Sequence, residues 1–283
     1  NPVSNNRSNV PSALVGLPAI AATLACSIPV LLGFAVPFVI LLNHAISVGD
    51  PLLGRGFSEL MLNSLWVAGL ASLICAIASL WLNYAQRLNS SFGMKLAVRI
   101  ATLGYAIPGM VLAVGVLVPL TFVDKEISGF LRDRFEGFSG LVITGSVAGL
   151  VFVYVARFLT VAYNSTHMGM DALHYKLDSA ARSLGASPRR VLQQIHFPLL
   201  RPALLSGLLL VFIDVMKELP ATLILRPFNF ETLSTRVYRL ASDERLSEAS
   251  TAALTIIVLG LIPIVLILLT TFHVKRFQKQ DRN

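Results

Sequence analysis

The sequence contains little charge and no strand-like alternation of polar and apolar residues. Only 13% of its 283 residues are charged, against about 25% in soluble domains, while 55% are hydrophobic and the mean hydropathy is +0.72. This balance excludes a disordered tail or a collagen and argues against a soluble enzyme. Without the alternation that marks outer-membrane strands, a β-barrel is also excluded. We therefore predict an all-α, polytopic membrane protein.

Residues that could carry metal, redox or nucleotide chemistry are also scarce. Cys26 and Cys75 lie in apolar runs without metal-ligand or redox spacing, so we interpret both as small buried hydrophobes. No G-x-x-x-x-G-K-[ST] phosphate loop is present, so any ATP hydrolysis has to come from another chain. The histidines are scattered and predict no metal cluster: His44, His167, His174, His196 and His273.

What the sequence does contain is a series of long apolar runs. Runs of roughly 18 or more residues are candidate membrane helices. Six are present, at 8–49, 60–86, 100–123, 137–156, 202–225 and 249–274. We assign residues 1–13 to a polar approach, 14–274 to a six-span membrane domain and 275–283 to a basic tail. Arg157, at the end of the fourth run, is expected to extend to the cytoplasmic interface.

The loops carry an uneven distribution of basic residues. With the amino terminus inside, 13 of the 23 lysines and arginines fall in the inside segments and 8 in the outside loops. Because short loops rich in these residues stay cytoplasmic, both termini are predicted to be cytoplasmic. The basic excess is spread over four inside segments, so it does not indicate nucleic-acid binding.

The longest inside connection, 166–201, has the pattern of a helix, a tight turn and a second helix. Apolar residues recur at helical spacing after Asp171, which could cap the first helix. Gly185 suits a left-handed residue at its end. Ser187-Pro188 predicts the start of the second helix, which Pro198 would end. An amphipathic helix lying on lipid is the alternative.

This connection resembles the loop by which membrane subunits of bacterial ABC importers contact their ATPases. The resemblance rests on Ser179-Ala180-Ala181, Gly185-Ala186, Ile195 and Pro198 in the family spacing, with Ser179 in place of glutamate and Phe197 in place of leucine. It implies that these residues couple the chain to two cytoplasmic ABC ATPase subunits, which would hold ATP and Mg. It implies no cofactor bound by this chain.

Two further stretches resemble ferric-iron permeases of this importer class. They are 105–109, Tyr-Ala-Ile-Pro-Gly, and 216–228, which begins Met-Lys-Glu-Leu-Pro. The resemblance implies a bacterial inner-membrane permease that works with an extracytoplasmic substrate-binding protein. The chain looks like the second half of a tandem permease, so a second half, fused or separate, is expected.

Other functions remain open at this point. Sulfate, molybdate and thiamine permeases share the coupling loop, and selectivity could reside in the binding protein. A secondary carrier would place its site between internal repeats with broken helices, and no repeat relates 1–140 to 141–283. A membrane-embedded enzyme is a more distant alternative. It is more distant because no paired catalytic residues lie at a common depth in the sequence, apart from the cluster at Asp214.

The fifth run carries three charges that lipid would disfavour. Asp214, Lys217 and Glu218 lie one helical turn apart, so we expect an Asp214–Lys217 pair and a surplus Glu218. Pro220 would free the carbonyl of Met216. We predict that this face lines the translocation path or its gate, with Glu218 contacting the metal ion transiently and Lys217 keeping that contact weak.

The segment at 230–250 is too polar to cross a membrane. It carries Arg236, Arg239 and Arg245 among several acids. Such mixed charge is typical of a solvated surface, and it also suits docking of a binding protein by complementary charge. We keep both interpretations.

Overall fold

A computed structural model describes residues 14–134, 140 and 142–280. The described residues form helices and no strand, which confirms the all-α class. Residues 1–13, the start of the fourth predicted span at 137–139, and the last three residues of the basic tail lie outside this part of the chain. The tail residues before them continue the last helix as far as Gln280.

Ten helices are present in the described part. They are α1 Leu17–Ser47, α2 Arg55–Leu88, α3 Phe92–Ala101, α4 Gly109–Arg134, α5 Val147–Asp171, α6 Lys176–Ser183, α7 Pro188–Met216, α8 Pro220–Leu225, α9 Leu233–Ser242 and α10 Leu246–Gln280. Five of them are long and apolar enough to cross a membrane: α1, α2, α5, α7 and the first part of α10. The chain is therefore a polytopic helix bundle.

The third predicted span, 100–123, is not one helix. Helix α3 ends at Ala101 and α4 begins at Gly109, with turns between them. Pro108 explains the break, because proline cannot donate to a carbonyl four residues earlier and disfavours helix at the residue before it. Helix α4 then continues past the apolar run to Arg134, through Asp124.

The fourth span is shifted along the chain from the predicted 137–156. Helix α5 begins at Val147 and ends at Asp171. Before it, the carboxylate of Asp124 accepts hydrogen bonds from the backbone N–H groups of Val142, Ile143 and Thr144. These backbone N–H groups therefore have acceptors outside a helix, and α5 begins only after them. Arg157 consequently lies in the middle of the span and not at an interface, so the expectation for it was wrong.

The helix–turn–helix at 166–201 is present with different ends. Asp171 closes α5, and α6 begins only at Lys176. Gly185 has φ +80°, a left-handed conformation that glycine adopts without a Cβ clash, and the Ser187 side chain accepts a hydrogen bond from Arg190 N–H, both as predicted. Pro198 does not end the second helix. A π-helical turn, Leu192–His196, precedes it and α7 continues to Met216.

Helices α2, α5 and α7 form the centre of the bundle. Their contacts use small or apolar side chains such as Ala71, Cys75, Val153 and Val211, which are all buried. The burial of Cys75 is as predicted, whereas Cys26 is exposed on α1. In the 18-residue apolar window of α1 no residue is buried within this chain.

The bundle has two distinct ends. At the α6 end, α2 and α5 finish and α7 begins. At the α9 end, Leu233 N–H donates to the Ser64 hydroxyl near the start of α2. The loop before α2 is also attached there, because Arg236 of α9 donates to both carboxylate oxygens of Asp50 at 3.0 and 2.6 Å. We call this pair the Asp50–Arg236 clamp.

Candidate functional site

Two helix interruptions meet in the middle of the bundle. One is the turn segment 102–108 between α3 and α4, and the other is 217–219 between α7 and α8. Helix α5 is bonded to the first: Thr160 donates to the carbonyl of Thr102 at 2.7 Å, and Arg157 donates to the carbonyl of Ile107 at 3.2 Å. Broken helices expose backbone polar groups within a membrane, which is tolerated only inside protein or beside water.

Arg157 and Glu218 form an ion pair at this meeting point. The Arg157 Nε atom lies 3.3 Å from Glu218 Oε2, and the two side chains are 19% and 6% exposed. The Nε atom makes no hydrogen bond among the described residues, so the pair is close but poorly aligned. The expectation that Glu218 is left over as an unpaired carboxylate was therefore wrong.

Glu218 also makes hydrogen bonds around the helix interruption in which it lies. Its Oε1 accepts a hydrogen bond from Ala221 N–H at 3.2 Å, at the start of α8. Its backbone carbonyl accepts from the hydroxyls of Thr222 and Ser234 at 2.7 and 2.9 Å. These bonds connect the break to α8 and α9. The short helix α8 is thus held by Glu218 rather than by the continuing ladder that Pro220 interrupts.

The absence of a side chain at Gly109 leaves room for the Arg157–Glu218 pair. A Cβ atom built at this position would lie 2.7 Å from Glu218 Oε1 and would also clash with the guanidinium of Arg157. Any side chain at 109 therefore has to push the pair apart. The resemblance in 105–109 thus includes a residue whose small size the site requires.

The other two charges of the fifth run also pair. Lys217 Nζ lies 2.9 Å from Asp214 Oδ1, as expected from their spacing. Their exposure differs, since the Lys217 side chain is 63% exposed and that of Asp214 is 16% exposed. Among the described residues no group of three or more His, Cys, Asp or Glu side chains could hold a metal ion.

A second polar cluster attaches α6 to the bundle. Asp178 of α6 accepts hydrogen bonds from Arg87 of α2 at 2.7 Å and from His196 of α7 at 2.6 Å, if the histidine carries its proton on Nε2. Burial alone would raise the pKa of the Asp178 carboxyl, but these hydrogen bonds hold it below its usual value. The carboxylate is therefore ionised at neutral pH and joins three helices.

The predicted coupling residues lie around α6 and the turn after it. Ser179, Ala180 and Gly185 are exposed, and Leu184 beside them is 89% exposed. Ala181 is instead buried against this chain. The remaining members are partly or fully exposed along the start of α7: Ala186, Ile195 and Pro198. The small surface that α6 presents outward is thus formed by Ala180 and Gly185.

The arginines of the 230–250 segment do not form one exposed surface. Arg236 is 6% exposed and belongs to the Asp50–Arg236 clamp, so it is not a docking residue. Arg239 and Arg245 pair with Glu231 and Glu248. Sequence reasoning missed Asp50, Arg87, Asp178 and His196 as partners. The sequence signal for Asp50 and Arg87 was a charge directly after the end of an apolar run.

The chain matches a known family over most of its length. Residues 84–279 match the family described as binding-protein-dependent transport system inner membrane component, and the chain belongs to that family. The match and the helical fold define a multi-pass permease subunit of an ABC importer.

Individual relatives differ in their substrates. The Fe(3+)-transport system permease protein FbpB 2 of Haemophilus influenzae is 28% identical over 241 residues, covering 84% of this chain and 44% of that protein. The chain therefore spans less than half of that relative. The putative 2-aminoethylphosphonate transport system permease protein PhnV of Salmonella typhimurium is 25% identical over 258 residues, covering 85% and 89%.

A solved structure shares the fold. A bacterial ABC transporter involved in the import of the acidic polysaccharide alginate has a chain that aligns with a TM-score of 0.66 at 17% identity, covering 91% of this chain and 94% of that one.

Proposed function

We propose that this chain is the pore-forming permease half of an ATP-driven, binding-protein-dependent importer of ferric iron. The observation that supports ferric iron is the 28% identity to FbpB 2 across 84% of this chain. No nucleotide site is assigned to this chain, so ATP and Mg are held by two partner ATPase subunits. A second permease half, fused or separate, completes the pore.

The α6 end is proposed to face the cytoplasm with both termini. The exposed Ala180 and Gly185 would contact the ATPase, while Asp178 would pass its movement to α2 and α7 through Arg87 and His196. At the α9 end, an extracytoplasmic binding protein would deliver the substrate.

The two helix interruptions are proposed to form the gate of the translocation path. Asp214, Lys217, Glu218 and Pro220 belong to it, as the spacing of charges in the fifth span predicts. Because Glu218 is held by Arg157 at 3.3 Å, a transient contact between Glu218 and iron requires that this pair separates.

The experiment is uptake of radiolabelled ferric iron by proteoliposomes that contain the complete transporter. Omitting this chain should abolish uptake. Glu218→Gln should lower uptake while assembly and basal ATPase activity persist. Uptake of iron that is unchanged when this chain is omitted would contradict the proposal.

Coupling is tested separately by two substitutions on the exposed turn. Gly185→Val should leave ATPase activity but lower uptake, because a β-branched residue disfavours positive φ. Ala180→Trp should act in the same way by steric exclusion of the ATPase. Ala172→Trp, at an exposed alanine outside the motif, is the matched control and should transport normally.

A second candidate substrate is 2-aminoethylphosphonate. The observation in its favour is that the match to PhnV covers 89% of that protein's length. Radiolabelled 2-aminoethylphosphonate in the same vesicles distinguishes the two substrates.

A further inference from the structure

A groove of about 650 Å³ runs between α5 and α7, on the α6 side of the Arg157–Glu218 pair. Its lining includes the polar side chains of Tyr105, Thr160, Asn164 and Ser206. Asn164 is exposed and its amide has no hydrogen-bond partner among the described residues, and Tyr105 is 51% exposed. An unpaired amide is costly against hydrocarbon, so the groove has to face water or protein.

The groove lies in line with the centre of the bundle along α5 and α7. On α5, Arg157 and Asn164 are seven residues apart, and Ser206 of α7 is eleven residues before Lys217, which directly follows the last residue of α7. Both spacings are close to whole numbers of helical turns, so each pair lies on one face. We call Arg157, Asn164, Ser206 and Lys217 the polar stripe.

The charged side chains at the central end of the polar stripe differ in their exposure. Lys217 is 63% exposed and Arg157 is 19% exposed, whereas their carboxylate partners Asp214 and Glu218 are 16% and 6% exposed. The cluster has no net formal charge, but in each pair the cationic member is the more exposed one. Farther along, the Asn164 amide and the Tyr105 hydroxyl can donate hydrogen bonds to oxygen atoms, whereas the hydroxyls of Ser206 and Thr160 already donate to backbone carbonyls.

The opposite side of α7 has a different character. There a groove of about 250 Å³ between α2 and α7 is lined almost entirely by apolar side chains, including Leu73, Ile77, Leu205 and Leu208. Such a surface suits lipid. Helix α7 therefore separates an almost wholly apolar groove from one that also contains polar side chains.

We propose that the polar stripe is a wall of the translocation path and that the cargo passes it as an oxygen-rich anion. This inference rests on the proposed function and specifies its substrate class. Two sources share this chemistry: an oxyanion such as a phosphonate, and a ferric ion enclosed by anionic oxygen ligands. A bare ferric cation would be repelled by Lys217 and Arg157.

Access to the groove can be measured without any substrate. In a Cys26→Ser, Cys75→Ala background of the complete transporter, Ser206→Cys is compared with Leu205→Cys, its neighbour on the apolar side. Ser206→Cys should react with a water-soluble sulfonate-bearing thiol reagent, on the order of tenfold faster than with a matched cationic reagent. Leu205→Cys should react with neither. Equal rates at the two positions overturn the path, and faster reaction with the cationic reagent overturns the charge preference.

Transport then identifies the cargo. Vesicles with the complete transporter receive radiolabelled iron as an anionic citrate complex, or radiolabelled 2-aminoethylphosphonate. For whichever probe is carried, Lys217→Gln should lower uptake about tenfold, the order of an electrostatic steering effect. Lys217→Arg should retain most uptake. Lys95→Gln, the same change at an exposed lysine outside the stripe, should match the unmodified transporter.

The outcomes separate the two proposals. Uptake of the phosphonate but not of the ferric complex overturns ferric iron as the cargo and leaves the polar stripe supported. Ferric uptake that is unchanged or raised by Lys217→Gln overturns the inference and leaves the proposed function standing.

Discussion

Three arginine–carboxylate pairs are largely buried among the described residues, and two of them, the Asp50–Arg236 clamp and the central Arg157–Glu218 pair, are bound in different ways. In the Asp50–Arg236 clamp, two nitrogens of Arg236 donate to two oxygens of Asp50, and Leu52 N–H donates to the same carboxylate at 2.8 Å. In the central pair, Arg157 Nε lies 3.3 Å from Glu218 without forming a hydrogen bond. The clamp holds the loop before α2 to α9, whereas the central pair joins the continuous helix α5 to the break between α7 and α8.

The two pairs suit different roles: one holds two parts of the protein together, and the other allows its partners to move. A bidentate pair fixes both distance and orientation. A pair that relies on proximity alone loses less when its partners move apart. We therefore expect the clamp to contribute mainly to stability and the central pair mainly to transport.

The largest effect should come from breaking the clamp. Arg236→Ala leaves Asp50 buried without its partner, which costs about 3–5 kcal/mol in comparable sites. The expected result is a large drop in the melting temperature of the detergent-solubilised protein and poor expression. Arg245→Ala removes an exposed pair and is the control, with an unchanged melting temperature. A native melting temperature for Arg236→Ala would contradict the assigned role of the clamp.

The next largest effect should come from adding a side chain next to the central pair. Gly109→Ala should cost about 1 kcal/mol, the low end of the range for overpacking, because its Cβ collides with the movable ends of the Arg157 and Glu218 side chains. Uptake should fall with it. Gly115→Ala lies in the same helix with nothing within 4 Å of the new Cβ, and should be neutral or slightly stabilising. Equal melting temperatures for the two variants would refute the close packing at 109.

A smaller effect should distinguish the central pair from the clamp directly. Arg157→Gln and Glu218→Gln each leave one buried charge, whereas the double variant leaves none. The coupling energy from this double-mutant cycle should be lower than that from Arg236→Gln and Asp50→Asn. Thermal unfolding of all variants in one detergent gives both values. A larger coupling at the central pair would reverse the comparison.

The smallest effect is a pH dependence. Burial raises the pKa of Asp50, but hydrogen bonds from Arg236 and Leu52 more than offset this, and its folded pKa lies below the ordinary value. Its contribution is therefore complete above the unfolded pKa of about 3.9 and is lost as pH falls through the folded value. The melting-temperature gap between the native protein and Asp50→Asn should be constant from pH 5 to 8, roughly the range above that pKa, and should shrink only in stronger acid. A gap that closes near neutral pH would show that another group is responsible.

Local signals in the sequence predicted local structure well. Apolar run length located α1, α2 and α10, while Gly185 and Ser187-Pro188 marked a turn and a helix start that the structure contains. These features depend on the backbone preferences of a few neighbouring residues. They need no knowledge of the rest of the fold.

Features that depend on distant partners could not be predicted in this way. Arg157 was expected at an interface because its partner Glu218 is 61 residues away in the sequence. The break at 102–108 was hidden within a continuous apolar run, since composition does not reveal where a helix stops. Asn164 lies beyond residue 156, where the predicted fourth span ends, whereas in the structure it lies within α5 and beside the groove.

The attachment of α6 has a consequence for building chimeric permeases. Asp178 lies inside the 166–201 segment, and so does His196, but Arg87 is contributed from the end of α2, 91 residues upstream of Asp178. Arg87 also donates to the carbonyls of Met170 and Leu173 at 2.8 and 3.0 Å. A transplanted loop would therefore carry only part of its own anchorage: a graft that ignores position 87 would leave the part-buried Asp178 carboxylate with His196 but without its arginine, and would remove the Arg87 donor from two carbonyls.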